Sequence, residues 1–213
     1  MADQIAETIR GLIVSGELKP GDRIVESRMA RQIGVGQPTV REALVALEHQ
    51  GLVVRKANQG CVVTTLTRAE ISQVLRVREE LEQLAVDLAI EIGPDAEIRK
   101  LIGLAGKMKE AAEVRDLRRY YECDVQFHQT LWKLSGNSIL PRLLTQTFMP
   151  LLAFLFLRNV RKNDELEMTT SAVAHREIAE AILRRDKKAA RQVAQQKFRL
   201  FAREHLNWYE SEE

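Results

Sequence analysis

The stretch ESRMARQIGVGQPTVREALVALEHQG, residues 26–51, decides how this chain is read. Met29, Ala30 and Ile33 share one face of a short helix running from about Glu26 to Ile33. Gly34-Val35-Gly36 breaks that helix, and Pro38 opens the next at the first helical position, where its fixed φ is already suitable and its missing N–H is no loss. Val40, Ala43, Leu44 and Leu47 turn a stripe of this second helix inward, leaving Gln37, Thr39, Arg41 and Glu42 near its exposed N-terminal end. Helix, tight turn, helix is the pattern of a helix-turn-helix.

The flanks complete a small domain. Upstream, Ile5, Ile9, Leu12 and Ile13 recur at helical spacing as far as Gly16, and Pro20-Gly21 marks a turn. Downstream, Gly51 ends the helix, and two β-rich runs, Leu52-Val53-Val54 and Cys61-Val62-Val63, flank a basic turn from Arg55 to Gly60. That pair is a β-hairpin wing whose tip is Asn58, Gln59 and Gly60. Thr64 to Thr67 forms a linker, because Thr67 and Glu70 have the capping-box spacing that starts a much longer helix.

The expected organisation is therefore residues 1–66 as a winged helix-turn-helix of three helices plus a hairpin, and residues 67–213 as an all-α bundle of about six helices. The first bundle helix runs to Ile92, where Gly93-Pro94 stops it; others reach about Val114 and span Leu117 to Leu134. A stop at Ser135-Gly136-Asn137 precedes three more. The fold class is mostly α, in keeping with 29% charged and only 5% aromatic residues.

Net charge is +2, and the first 66 residues hold eight Lys or Arg against seven Asp or Glu, so a nucleic-acid reading rests on placement and not on composition. Cys61 and Cys123 stand alone without Cys-x-x-Cys spacing, and nothing near Met1 resembles a signal peptide, which places the chain in a reducing cytoplasm. The longest apolar run, Phe148 to Leu157, is interrupted by Pro150 and is about half the length of a bilayer span. It reads as a buried core helix, with no membrane partner.

The ordered run Leu18-Lys19-Pro20-Gly21-Asp22-Arg23-Ile24, Glu26, Met29-Ala30, Ile33-Gly34-Val35, Pro38-Thr39-Val40-Arg41-Glu42-Ala43-Leu44, Leu47 and Gly51-Leu52-Val53 resembles the DNA-binding domain of the GntR superfamily. The C-terminal half resembles that superfamily's FadR-type effector domain, the FCD type. Arg78-x-x-Leu81-Glu82, Asp124-x-x-x-His128, Ser135-Gly136-Asn137 and His175-x-x-Ile178-x-x-Ala181-Ile182 carry that likeness. The resemblance implies a homodimeric transcription regulator, a repressor and not an enzyme, on a pseudo-palindromic operator in double-stranded DNA. It also implies an effector that shifts operator affinity, transmitted through Thr64 to Thr67 and the long helix beyond.

On that reading Arg41 bonds a guanine edge and Gln37, which stands where relatives more often carry Arg, reads adenine. Thr39 and the start of its helix meet phosphate, with Ser27 and Arg28 as further phosphate contacts. In the wing Arg55 and Lys56 supply charge, and Gly60 permits close backbone approach. For Arg41 the plainer reading is a phosphate contact, and for Arg55 and Lys56 ordinary solvated charge.

Each of four bundle helices sets polar residues in an apolar stripe, which is costly unless they are paired. Arg78 shares a face with Ile71, Val74, Leu81, Ala85 and Leu88; Asp124 and His128 share one with Leu117, Tyr121 and Leu131; His175 sits with Ile178 and Ile182; Lys197 sits with Ala190, Ala194 and Phe201. Their convergence makes an effector pocket of Arg78, Asp124, His128, His175 and Lys197. Many relatives complete such a centre with an Asp and three His around a divalent metal; here the third His position is Lys197, which has no lone pair while protonated. Asp124, His128 and His175 still suit zinc or nickel. Alternatively Lys197 and Arg78 replace the cation, and either version favours a small carboxylate effector. Two competing classes stay open at this point: an effector-blind DNA-binding protein whose second domain only dimerises, and a metal-dependent hydrolase, which lacks a separate general base or nucleophile motif.

Overall fold

The computed structural model describes residues 1–57, 59–162 and 165–207, with side chains described outside 155–162, 165–167 and 204–207. Asn58, expected at the wing tip, lies outside the described residues. These residues form nine helices and three strands. They group into two compact units: Met1–Thr67 with Phe148–Arg161, and Arg68–Thr147 with Lys162–Glu213.

In the first unit α1 (Ala2–Val14), α2 (Glu26–Ile33) and α3 (Gln37–His49) surround a core of Ile5, Ile9, Ile13, Met29, Val40, Leu44 and Leu47. α2 ends on Gly34 in the left-handed region, φ 78, with its N–H returning to the Ala30 carbonyl, so the glycine makes the tight turn possible. α3 begins one residue earlier than expected, at Gln37, with Gly36 as the extended residue before it and Pro38 in its first turn.

The wing differs from expectation in two ways. Strand β2 (Val53–Lys56) reaches beyond Val54, so Arg55 and Lys56 lie on a strand opposite Cys61 and Gly60 of β3 (Gly60–Val63), not in the turn. A third strand, β1 (Arg23–Ile24), pairs with the outer edge of β3 in the order β1-β3-β2. Two residues carry no strand signal of their own; the exposed ladder of β3 imposes the conformation. Thr64, fully buried, donates its hydroxyl to the Gly51 carbonyl and ties the end of the wing to the end of α3.

The second unit is built from α4 (Arg68–Ile92), α5 (Asp95–Glu113), α6 (Leu117–Leu134), the start of α7 (Leu140–Lys162), α8 (Glu165–Leu183) and α9 (Lys187–Asn207). α5 packs on α6 and α8, and α4 packs on α6 and α9, around Ile98, Leu101, Met108, Phe127, Leu131 and Ile182. Ser135-Gly136-Asn137 serves as both stop and start. Ser135 donates its hydroxyl to the Trp132 carbonyl, and the Asn137 side chain accepts the amides of Ile139 and Leu140. Arg185 donates to the carbonyls of Ala89, Ile90 and Gly93, closing the C-terminal end of α4.

The apolar run beginning at Phe148 lies within α7, with Phe148, Met149, Leu151, Leu152, Ala153 and Phe154 buried and Pro150 inside the helix. Residues Phe148–Arg161 group with the first unit, where Ala153 joins the core. No helix among the described residues is long and apolar enough to cross a membrane.

Candidate functional site

Two sets of candidate side chains lie in separate units. In the first, α3 presents its N-terminal end to solvent: Gln37 and Pro38 are exposed, and no side chain caps the helix. The amides of Thr39 and Val40 both donate to the Gly36 carbonyl, which leaves the Thr39 hydroxyl as that residue's means of reaching an anion. Arg41 is held against Glu26, the first residue of α2. Its Nε and Nη2 donate to Glu26 Oε2 at 3.1 and 2.9 Å, and Gln37 Nε2 donates to the same oxygen at 3.3 Å. The bond from Arg41 keeps the Glu26 carboxyl below its ordinary range. Ser27 is half-buried and Arg28 exposed. Arg55 donates to Glu48 at 3.1 Å in an exposed pair of small energetic weight, and Lys56 is exposed beside it. Gly60 adopts φ 76 with open space where a Cβ would sit.

The second set converges in the centre of the bundle. Arg78 from α4, Asp124 and His128 from α6, and His175 from α8 are all buried, and half-buried Lys197 from α9 brings its ammonium 2.6 Å from His175 Nε2. One ligand atom from each of Asp124, His128 and His175 falls within 4.8 Å of the others.

Hydrogen-bond partners fix the ring tautomers. His175 Nδ1 lies 2.7 Å from the Ser171 carbonyl, which only accepts, so the proton is on Nδ1 and Nε2 offers a lone pair. His128 Nδ1 lies 3.1 Å from Glu82 Oε1 without a well-formed hydrogen bond; its Nε2 is assigned as an acceptor because Arg78 Nη2, which can only donate, approaches it at 3.5 Å. The two Nε2 atoms face each other at 3.2 Å. Asp124 Oδ1 sits 3.2 Å from one and 3.7 Å from the other without a well-formed hydrogen bond. Three acceptors therefore point at one another, an arrangement that calls for positive charge among them. Lys197 supplies it at His175, and Arg78 Nη2 approaches His128 Nε2 at 3.5 Å.

Burial and then the neighbouring ammonium push His175 down to about 4, and burial pulls Lys197 down to about 8. Burial likewise lowers His128. It opposes the charge on Asp124 and Glu82, yet His175, His128 and Lys197 around the first, and His128 and Arg78 around the second, outweigh it and hold both carboxyls well below the usual range.

The structure corrects the stripe of α4. The inward residues are Ile71, Leu75, Arg78, Glu82, Ala85 and Ala89; Val74, Leu81 and Leu88 are half-buried. Glu82, missed in the sequence, is the hub. Its Oε1 accepts from Arg78 Nε and Trp132 Nε1, each at 3.3 Å, and faces His128. Its signal was the four-residue step from Arg78, the spacing at which an arginine and a carboxylate meet on one helix. Phe198 and Phe201 of α9 lie 5.1 and 5.7 Å from the Arg78 guanidinium carbon, a cation–π contact that sequence reasoning anticipated only as an apolar face.

Comparison with known proteins agrees with both halves. Residues 1–63 match the family described as bacterial regulatory proteins, gntR family, and residues 73–200 match the FCD domain. The chain belongs to the GntR family of transcriptional regulators and carries an FCD domain. It is 30% identical to the uncharacterized HTH-type transcriptional regulator YdhC of Bacillus subtilis over 89% of this chain and 84% of that one. It is 26% identical to the gluconate operon transcriptional repressor of Bacillus subtilis over 92% of this chain and 81% of the relative. Among solved structures, Escherichia coli McbR/YncC superposes with a TM-score of 0.76 at 22% identity, covering 98% of each chain, a likeness of fold. These relatives are regulators and not enzymes, so the hydrolase alternative falls away, and GntR regulators with FCD domains bind operator DNA and small-molecule effectors.

Proposed function

We propose that this chain is a repressor-type regulator, working in the cytoplasm as a homodimer on a pseudo-palindromic operator, whose DNA affinity is set by a small carboxylate bound in the centre of the bundle. The observation that carries the reading is that centre itself: an enclosed group of Arg78, Asp124, His128, His175 and Lys197 with facing acceptors, which a closed dimerisation core has no reason to bury. Lys197 and Arg78 supply the positive charge that an anionic ligand needs, and the guanidinium offers a planar fork that suits a carboxylate. A ligand that binds one of two conformations better shifts the balance between them, and with it operator affinity.

In the DNA-binding unit, Arg41 and Gln37 read base edges, and Thr39, Ser27 and Arg28 meet phosphates. Arg55, Lys56 and Gly60 carry the wing to the adjacent groove.

A second reading of the bundle centre is favoured by the orphaned Asp124 Oδ1. Asp124, His128 and His175 present one oxygen and two nitrogens in the mixture that zinc or nickel takes; the other nitrogen of His175 is fixed by the Ser171 carbonyl, and that of His128 faces Glu82 at 3.1 Å. Such an ion would supply a Lewis-acidic anchor for the effector carboxylate. For His175 to ligate it, the Lys197 ammonium has to leave Nε2.

Metal analysis of purified protein, combined with thermal unfolding with and without chelator and across a panel of small carboxylic acids, tests both readings. Metal-free protein stabilised by an acid supports direct capture by Lys197 and Arg78. Zinc or nickel removed by chelator, with loss of stability, supports ligation by Asp124, His128 and His175. Absence of any response to acids or metals refutes the effector reading.

A further inference from the structure

We infer that Glu26 is a positioning residue for operator reading: its carboxylate holds the Arg41 guanidinium by one edge and thereby presents the other end to a base. The inference rests on the proposal that α3 is the recognition helix, and adds to it a residue of the opposite charge.

The geometry distinguishes holding from blocking. Glu26 takes Arg41 through Nε and Nη2, the side of the guanidinium, at 3.1 and 2.9 Å. A guanine is read through the end of the guanidinium, Nη1 and Nη2, against O6 and N7. The two uses share one nitrogen but different hydrogens, so both are satisfied together. The Arg41 side chain is 57% exposed and that of Glu26 only 18%, so the carboxylate lies behind the guanidinium. Glu26 also accepts from Gln37 Nε2 at 3.3 Å, leaving that amide its second hydrogen and its oxygen for an adenine edge. One carboxylate therefore orients both side chains proposed to read bases, and it does so across the tight turn, from the first residue of α2 to the first turns of α3.

A negative charge in this place weakens attraction to every duplex, because phosphates surround the recognition helix. Its benefit lies in discrimination. An arginine fixed before DNA arrives loses little further rotamer freedom on binding, and it cannot swing to a neighbouring phosphate when the base is wrong.

The test uses the full chain, as wild type, Glu26→Gln, Arg41→Ala and the double variant. Wild-type protein selects duplexes from a randomised pool, which identifies the bases preferred in each half-site. All four proteins are then titrated, at one salt concentration, with the selected duplex, with single-base replacements of it and with a scrambled duplex. Arg41→Ala is expected to abolish preference at one position per half-site. Glu26→Gln is expected to lose about tenfold of that same preference while binding the scrambled duplex as tightly as wild type or more so, and the double variant loses no more than Arg41→Ala. Glu26→Gln that tightens all duplexes by one factor with the preference intact overturns the inference, since Glu26 is then only a repulsive charge. Glu26→Gln that sharpens the preference overturns it too, as Glu26 then sequesters Arg41. An Arg41→Ala protein that keeps every preference removes the recognition reading and the inference with it. Matching circular dichroism melts of all variants exclude unfolding as the cause.

Discussion

Replacing Glu82 with Leu isolates the energetics of the bundle centre. Arg78 and Glu82 are both almost fully buried, 3% and 5% exposed, and Glu82 Oε1 gathers Arg78 Nε, Trp132 Nε1 and His128 Nδ1 within 3.3 Å. Removing one partner of a buried pair costs about 3–5 kcal/mol, and Asp124 also attracts the Arg78 guanidinium, which places the loss toward the lower end. The rings of Phe198 and Phe201 offset no more than roughly 2 kcal/mol of that through cation–π attraction. A net loss of about 3 kcal/mol follows, equivalent to a fall of roughly 6–12 °C in melting temperature for a chain of this size. Adding Arg78→Met removes the charge that Glu82 had balanced, and the double variant should recover to within about 1 kcal/mol of wild type, since an apolar replacement of a buried pair is close to neutral. Urea unfolding at pH 7, followed by far-ultraviolet circular dichroism, measures all four corners of the cycle. The same experiment on wild type at falling pH should show stability decreasing first below about 6.5, where His175 and His128 take up protons only on unfolding, and further below about 4.5, where the Glu82 carboxyl does the same because it is held beneath its unfolded value. Glu82→Leu costing under about 1 kcal/mol, or a double variant no better than the sum of the singles, would falsify the account of this pair.

Lys197, pulled down to about 8 from 10.5, binds fewer protons folded than unfolded between those values, so stability should rise as pH is raised through that window. Lys197→Met should flatten the rise in urea midpoint, and an unchanged slope in the variant would show the ammonium to be well solvated. Gly51 has φ 73 and room for no side chain, a Cβ meeting the Met149 carbonyl carbon at 2.2 Å, whereas Gly34 has φ 78 with open space. Gly51→Ala should therefore destabilise by about 2–5 kcal/mol and Gly34→Ala by only about 1–2 kcal/mol, as read from denaturant midpoints; equal effects would show that the close approach is relieved by backbone movement.

The helix-turn-helix was legible because glycine and proline punctuate it: Gly34 and Pro38 bracket the turn, and α2 runs over the residues anticipated, Glu26–Ile33. α6 was equally plain, from Leu117 to the stop before Ser135. What escaped detection depends on partners distant in sequence. β1 exists because β3 offers it an edge. On α4, Leu81 and Glu82 stand three and four residues after Arg78, and apolar character favoured the leucine; only the facing Trp132 and His128 make burial of the carboxylate tolerable. The polar centre itself was readable as four interrupted stripes, but the placement of the Lys197 ammonium against His175 Nε2 arises from the packing of α9 on α8. Glu26 was visible as a residue and silent as a contact, since nothing in spacing says that the start of α2 reaches Arg41.

Trp132 gives the bundle centre an optical property. Its indole is fully buried, donates to Glu82 and lies 5.9 Å from the His128 ring. In so dry a setting the emission of an indole follows the local electric field, and of this ring's neighbours His128 belongs to the proposed ligand site while Glu82 is bonded to its Arg78. The chain has one other tryptophan, Trp208, so Trp208→Phe would leave Trp132 as the single indole, selectively excited at wavelengths where the three tyrosines do not absorb. Unlabelled protein could then be screened against a library of acids by emission wavelength alone, before any operator sequence is in hand.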